Sequence, residues 1–95
     1  MCGEVDIGPD LENLIPIAVV IAAGCEPCAE KMVRRALDGG SQPKDIRKTL
    51  GLVGHLQDLD CLAENVDAAI LARMEKPLAA GKRTLQTELA AAGVE

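Results

Sequence analysis

The stretch AAGCEPCAEKMVRRALDGG, residues 22–40, holds two cysteines at Cys-x-x-Cys spacing, followed by a helical pattern. Proline suits a first helical turn, so Pro27 predicts that a helix begins inside the motif. Glycine is common just past a helix end, so Gly39 and Gly40 predict that this helix stops there. The apolar residues between them recur at helical spacing, which predicts one buried face: Ala29, Met32, Val33, Ala36 and Leu37.

Similar signals predict helices on both sides of this stretch. Residues 11–24, LENLIPIAVVIAAG, are apolar and alanine-rich, which favours a buried helix that is bent or restarted at Pro16, although consecutive β-branched residues leave a strand open. Ser41 as N-cap and Pro43 in the first turn predict the start of a third helix. Gly51 and Gly54 within that helix either leave room for a neighbouring helix to approach closely or weaken the helix, since each costs about 1 kcal/mol relative to alanine.

The carboxy-terminal half of the chain predicts two further helices. Residues 60–75 form the fourth, and Pro77 stops it. Residues 83–93 form a short last helix. One side of the fourth helix is predicted to be apolar: Leu62, Val66, Ala69, Ile70 and Met74. The sequence therefore predicts an all-α fold class, as one compact domain of about five helices over residues 1–95, with residues 1–9 as a loose amino-terminal arm.

The composition has no Phe, Tyr or Trp among its 95 residues. Buried aromatic side chains contribute about 150–250 Å² each to a core. Even with them, cores below about 80 residues rarely supply more than roughly 3–5 kcal/mol. We therefore expect this domain to be stabilised by association with copies of itself, as a homo-oligomer.

The charge and hydropathy of the chain exclude two classes of partner. The net charge is −5, from 10 basic and 15 acidic residues, and such a chain repels a phosphate backbone, so nucleic acid is not an expected partner. The apolar run LIPIAVVIAAG has eleven residues, whereas a membrane-spanning helix needs about 20. The residues before it carry no positive charge, which a secretory signal requires. We expect a cytoplasmic protein with no membrane partner.

The cysteine pair is the strongest indication of chemistry. Ordinary thiols stay reduced in the cytoplasm, so a Cys-x-x-Cys pair there indicates redox work or metal binding rather than a structural framework. A helix amino terminus carries unpaired N–H groups and about half a positive charge, which favours thiolate over thiol. Cys25 lies just outside the first turn, where those groups point. By this reasoning Cys25 is the nucleophile and Cys28 the resolving thiol.

Two other interpretations of the pair stay open. Cys25 and Cys28, together with Cys61 and the single histidine, His55, would form a Cys₃His set that suits zinc. Alternatively, the two cysteines are small hydrophobic residues without chemistry. Cys2 is interpreted as incidental. The chain has no Gly-rich phosphate loop or other cofactor motif, so no cofactor is predicted.

The stretch AVVIAAGCEPCAEKMVRRALDGGSQPKDIRKTL, residues 18–50, resembles the core of the carboxymuconolactone decarboxylase and alkylhydroperoxidase D-like families. The similarity extends over residues 12–56. It implies a small all-α fold that assembles as a trimer or hexamer. It also implies that Cys28 attacks a peroxide and that Cys25 is its disulfide partner. The helix dipole gives the opposite assignment of attacking and resolving thiol, and both assignments stay open.

The chain departs from the redox members of these families at two positions. They carry a proton-relay histidine four residues after the second cysteine, where this chain has Met32, and a thioether cannot shuttle protons. They also carry a glutamate upstream of the first cysteine, where this chain has Asn13 beside Glu12. Glu12, after a register shift of one residue, and His55, from another helix, are the candidate relay residues.

These observations predict a thiol–disulfide redox protein that uses Cys25 and Cys28. Dithiol–disulfide exchange needs only a thiolate and a resolving thiol. The substrate is a peroxide or, as the missing histidine favours, a disulfide on a redox partner protein. The alternative is a non-enzymatic metal-binding or scaffold module of the same fold.

Overall fold

The computed structural model describes residues 8–56 and 59–93, and all regular structure in this part of the chain is α-helical. The predicted all-α class is confirmed, and the helices pack into a compact globule. None of the described helices has the length and apolarity needed to cross a membrane. Residues 1–7 of the predicted arm, with Cys2, lie outside the described residues, whereas its last two positions belong to the first helix. The helices are α1 (Gly8–Ala22), α2 (Glu26–Asp38), α3 (Pro43–Leu56), α4 (Asp60–Asn65), α5 (Ala68–Ala72) and α6 (Glu75–Ala91).

The corner between α1 and α2 is closed by a glycine in the left-handed region of backbone space. Gly24 has φ +79°, and its N–H donates to the Ile21 carbonyl at 2.9 Å. The Cys25 N–H donates to the Val20 carbonyl at 3.1 Å. These two bonds form a Schellman motif, which satisfies the last carbonyls of a helix. The strand alternative for residues 11–24 is therefore wrong, and the chain enters α2 directly at the cysteine pair.

The end of α2 repeats this arrangement at Gly40, as predicted. Gly40 has φ +95° and donates to the Leu37 carbonyl, while the Ser41 N–H donates to the Ala36 carbonyl. Ser41 was predicted to cap α3, and that prediction is wrong. The first amides of α3 donate to the Gln42 carbonyl instead. The Ser41 side chain is buried, and its hydroxyl has no hydrogen-bond partner among the described residues.

The core lies where α1, α2, α3 and α6 meet. The predicted face of α2 is confirmed, because Ala29, Val33 and Ala36 are buried and Met32 and Leu37 pack against the core. Each large aliphatic side chain that is fully buried stabilises the fold by about 1.5–3 kcal/mol. The other helices contribute Ile17 and Ile21 from α1, Ile46, Leu50 and Val53 from α3, and Leu78, Leu85 and Leu89 from α6.

Glycines allow α6 to approach its neighbours closely. A Cβ built on Gly81 would lie 3.2 Å from Leu50 Cδ2, and one on Gly54 would lie 3.3 Å from Leu78 Cδ2. A Cβ on Gly51 would meet nothing within 4 Å. The predicted close approach is therefore confirmed at Gly54 and is wrong at Gly51, and Gly81 supplies a second contact that the sequence pattern did not indicate.

The predicted fourth helix is divided into α4 and α5. Val66 between them is extended (φ −120°, ψ 134°), and the Asp67 side chain accepts a hydrogen bond from the Ala69 N–H at 2.8 Å. Asp67 thereby caps α5, because aspartate competes for backbone N–H groups and so favours a new helix start. No side chain of α4 or α5 is buried, and Met74 is the one member of the predicted apolar side that joins the core.

Pro77 lies in the first turn of α6 and does not stop a helix, so the prediction for this residue is wrong. The last helix begins at Glu75. The missing N–H of proline costs nothing there, because the first N–H groups of a helix have no acceptor within it. The result is a long α6 that spans the core, with Leu85 and Leu89 buried in it.

Candidate redox site

Cys25 and Cys28 form a disulfide at the amino-terminal end of α2, with their Cα atoms 5.2 Å apart. That separation lies in the usual range for a disulfide. Both residues are partly buried, so the bond is neither enclosed in the core nor fully open to solvent. The two cysteines are therefore a bonded pair, which is compatible with a redox role.

Cys25 is the N-cap of α2. Its backbone is extended (φ −95°, ψ 102°), and its Sγ accepts a hydrogen bond from the Cys28 N–H at 3.3 Å. That donor is one of the first N–H groups of the helix, and the helix itself has no carbonyl that could accept a hydrogen bond from it. Pro27, which has no N–H, lies between the two cysteines in the first turn. After reduction, the N–H donor and the positive helix end favour a thiolate at Cys25.

Two arginines contact the corner that carries the disulfide: Arg73, just before α6, and Arg83, in the middle of α6. Arg73 packs on Gly24, where an added Cβ would lie 3.5 Å from Arg73 Cβ. Arg83 Nη2 lies 3.5 Å from Glu26 Oε2, and both side chains are substantially exposed. Exposed ion pairs contribute only about 0–1 kcal/mol. Arg83 therefore adds little to the stability of the fold. Its main effect is that its positive charge offsets the negative charge of the Glu26 carboxylate beside Cys25.

A shallow cleft of about 480 Å³ lies beside this corner. Gly24 and Glu26, on either side of Cys25 in the chain, contribute to one wall. Two small residues of α5 and three charged residues at the start of α6 or just before it contribute to the other: Ala69, Ala72, Arg73, Glu75 and Lys76. Neither cysteine lines this cleft, which borders the corner that carries the disulfide.

Glu12, a predicted relay residue, lies at the far end of α1 from the disulfide. The segment from Glu12 to the helix end at Ala22 rises about 15 Å along the helix axis. The neighbouring Asn13 side chain approaches Gly39, which lies at the opposite end of α2 from the cysteines. The structure therefore does not bring Glu12 to the pair.

His55 and Cys61 are both exposed. His55 lies in the last turn of α3, and Cys61 lies in the first turn of α4 as a free thiol. Among the residues that the structure describes, no three His, Cys, Asp or Glu side chains are grouped so that they could hold a metal ion. The structure brings Cys25 and Cys28 together and does not group them with the other two members of the predicted zinc set.

The residues around the pair that sequence reasoning missed are Arg73 and Arg83. Both were unremarkable surface cations in the sequence, and neither belongs to a motif. Helical spacing indicates which side chains face outward, but it does not indicate which of them meet across the fold. No sequence signal could have identified them.

Comparison with known proteins leaves the family of this chain undetermined, because no family model, curated protein or solved structure matches it. The class of protein is defined by its own features: an all-α domain with a Cys-x-x-Cys disulfide at a helix amino terminus. The resemblance to alkylhydroperoxidase D-like proteins stays a prediction.

Proposed function

We propose that this chain is a thiol–disulfide redox protein that cycles Cys25 and Cys28 between dithiol and disulfide. The observation that carries the proposal is the disulfide itself, placed so that Cys25 caps α2 and its sulfur accepts the Cys28 N–H. The thiolate is the form that attacks disulfides, and a helix amino terminus stabilises it.

The proposed reaction transfers two electrons from the pair to a substrate disulfide. The Cys25 thiolate attacks one substrate sulfur and forms a mixed disulfide, while the other substrate sulfur leaves as a thiolate and takes up a proton. Cys28, once deprotonated, attacks the Cys25 sulfur and releases the first substrate sulfur, which is also protonated. The substrate becomes a dithiol and the pair becomes a disulfide. A second dithiol then returns the pair to its reduced state by the same steps in reverse.

The substrate class that we favour is a disulfide on a partner protein. Peroxide reduction in the families that the chain resembles requires a relay histidine, and this chain has Met32 at that position. Glu12 lies at the far end of α1 from the pair, and Met32 packs against the core. Dithiol–disulfide exchange requires neither group, so it fits the residues that are present.

The first experiment is an alkylation assay of the reduced protein, read by intact mass before and after exposure to a disulfide or a hydroperoxide. We expect the loss of two alkylatable thiols, mapped to the peptide that contains Cys25 and Cys28, and their recovery after treatment with a dithiol. If all four cysteines stay alkylatable and native mass spectra show bound zinc, the redox proposal is wrong and a metal-binding module replaces it.

We also propose that the domain is alkylhydroperoxidase D-like and works as a homo-oligomer. The order of glycine-terminated helices around the Cys-x-x-Cys pair supports the alkylhydroperoxidase D-like fold.

The homo-oligomer is supported by the α1 stripe, defined as Leu11, Ile15 and Val19, which are 47%, 47% and 58% exposed. A helix that is apolar all round is normally covered on every side. The sequence has no charged residue from 13 to 24, so copies could pair there without charge repulsion.

Val19→Glu is expected to reduce the oligomer to monomers, because it would bury a carboxylate without a partner in the contact. Size-exclusion chromatography with light scattering measures the change. Leu52→Glu is the matched control, since Leu52 is an aliphatic residue of α3, 63% exposed and outside the stripe. A monomeric parent protein, or a Val19→Glu variant with the parent's mass, would contradict the proposed interface.

A further inference from the structure

We propose that a groove between α3 and α6 binds a small carboxylate with an apolar body. The groove has a volume of about 350 Å³, at the lower end of the range for ligand sites. It shares no lining residue with the cleft beside the disulfide, so the proposed site is distinct from the redox pair. Its lining consists of Arg47, Leu50 and Gly51 from α3 and Lys82, Leu85 and Gln86 from α6.

The lining combines apolar surface with unopposed positive charge. The aliphatic stems of Arg47 and Lys82 provide the accessible apolar part, above Leu50 and Leu85, which are only 1% and 2% exposed. No acidic residue lines the groove, and neither cation forms a hydrogen bond or ion pair with any other described residue. Two unpaired cations on facing helices are complementary to one anion between them. A guanidinium group also matches a carboxylate with two parallel hydrogen bonds.

Gly51 is exposed and lines the groove. Glycine inside a helix costs about 1 kcal/mol relative to alanine. Packing accounts for Gly54 and Gly81, where a Cβ would press on a leucine, but a Cβ on Gly51 would meet nothing within 4 Å. Because Gly51 lines the groove, a larger side chain at this position would occupy the space of the groove. A residue that weakens α3 without serving its packing is consistent with a space kept open for a ligand.

The test is a titration with octanoate, followed by the methyl NMR signals of Leu50 and Leu85, with 1-octanol as the neutral probe. We expect saturable shifts with octanoate and much weaker ones with 1-octanol. Gly51→Leu is expected to abolish the shifts. The double variant Arg47→Glu/Lys82→Glu is expected to weaken octanoate binding about tenfold or more, since two surface attractions become repulsions. Equal binding of both probes, or unchanged octanoate binding in the charge-reversed variant, would overturn the proposal.

The control variant is Lys31→Glu/Lys48→Glu, which changes the net charge equally at two exposed lysines outside the groove. It is expected to bind octanoate like the parent protein, and an equal loss of binding would show that overall charge, and not the groove, is responsible. Gly51→Leu is expected to unfold at the same or higher urea concentration than the parent, because leucine is the better helix former. If that variant does not fold, the comparison of the two double variants decides the outcome.

Discussion

Replacing Cys28 with serine is expected to trap a disulfide substrate on Cys25 as a stable mixed disulfide. Attack by Cys25 still takes place, but the thiol that would release the substrate is absent. Incubation with excess glutathione disulfide should add a glutathione to Cys25, assigned by peptide mapping because the exposed free thiol of Cys61 can also react. Turnover with a dithiol reductant should fall to background, because the two-electron cycle requires both sulfurs.

Replacing Cys25 with serine gives the matched comparison. Serine is a good N-cap, so the variant keeps an oxygen that accepts the Cys28 N–H and should retain its helical content. The Cys28 thiol of this variant lies inside the first turn and not at the cap, and we expect it to react with glutathione disulfide about tenfold more slowly. The opposite ranking would make Cys28 the attacking thiol, as the family resemblance implies. An absence of adduct in both variants would contradict the redox proposal itself.

Replacing Gly81 with valine is expected to lower the free energy of unfolding by about 1–3 kcal/mol, which is a large share of the stability of a small domain. The added Cβ would lie 3.2 Å from Leu50 Cδ2 and 3.6 Å from Val33 Cγ2, and the two further methyl groups need space that the core does not have. Urea denaturation followed by circular dichroism measures the change.

The control for this prediction is the same replacement at Gly51, where an added Cβ meets nothing within 4 Å. Its free energy of unfolding should stay within about 0.5 kcal/mol of the parent value or rise slightly, because valine is a better helix former than glycine. If Gly81→Val were as stable as Gly51→Val, α6 would not lie as close to α3 as described.

The first half of the fold could be predicted because its signals are local. Gly24 and Gly40 end helices through hydrogen bonds to residues only a few positions earlier in the chain. Pro27 and Pro43 lie in first turns, where their missing N–H groups are tolerated. The position of the cysteine pair at the start of α2 follows from these residues alone.

The second half could not be predicted in this way, because its outcome depends on competing local preferences and on distant contacts. Pro77 fits the end of one helix and the first turn of the next equally well by its own chemistry. Asp67 divides the predicted fourth helix because its carboxylate caps α5, although the apolar spacing continues through it. The role of Gly81 depends on Leu50 in another helix, which no pattern along the chain reveals.

For the candidate site, the sequence was sufficient for the two cysteines but not for their surroundings. Arg83 and Glu26 lie close together although they belong to two separate helices, so their contact is not visible in the sequence. The distance of Glu12 from the pair became evident only once α1 proved to be one continuous helix. Sequence spacing places residues on the face of a helix, but the packing of helices decides which faces meet.

The lack of buried side chains in α4 and α5 affects how this protein can evolve. Most mutations in a core reduce stability, whereas exposed positions usually tolerate substitution within about 0.5 kcal/mol. Ala69 and Ala72 of α5 are exposed and line the cleft next to the corner that carries the disulfide, so substitutions there can reshape the cleft with little loss of stability. Under the proposed redox function, such substitutions would adjust substrate preference while the helix that holds the cysteines stays the same.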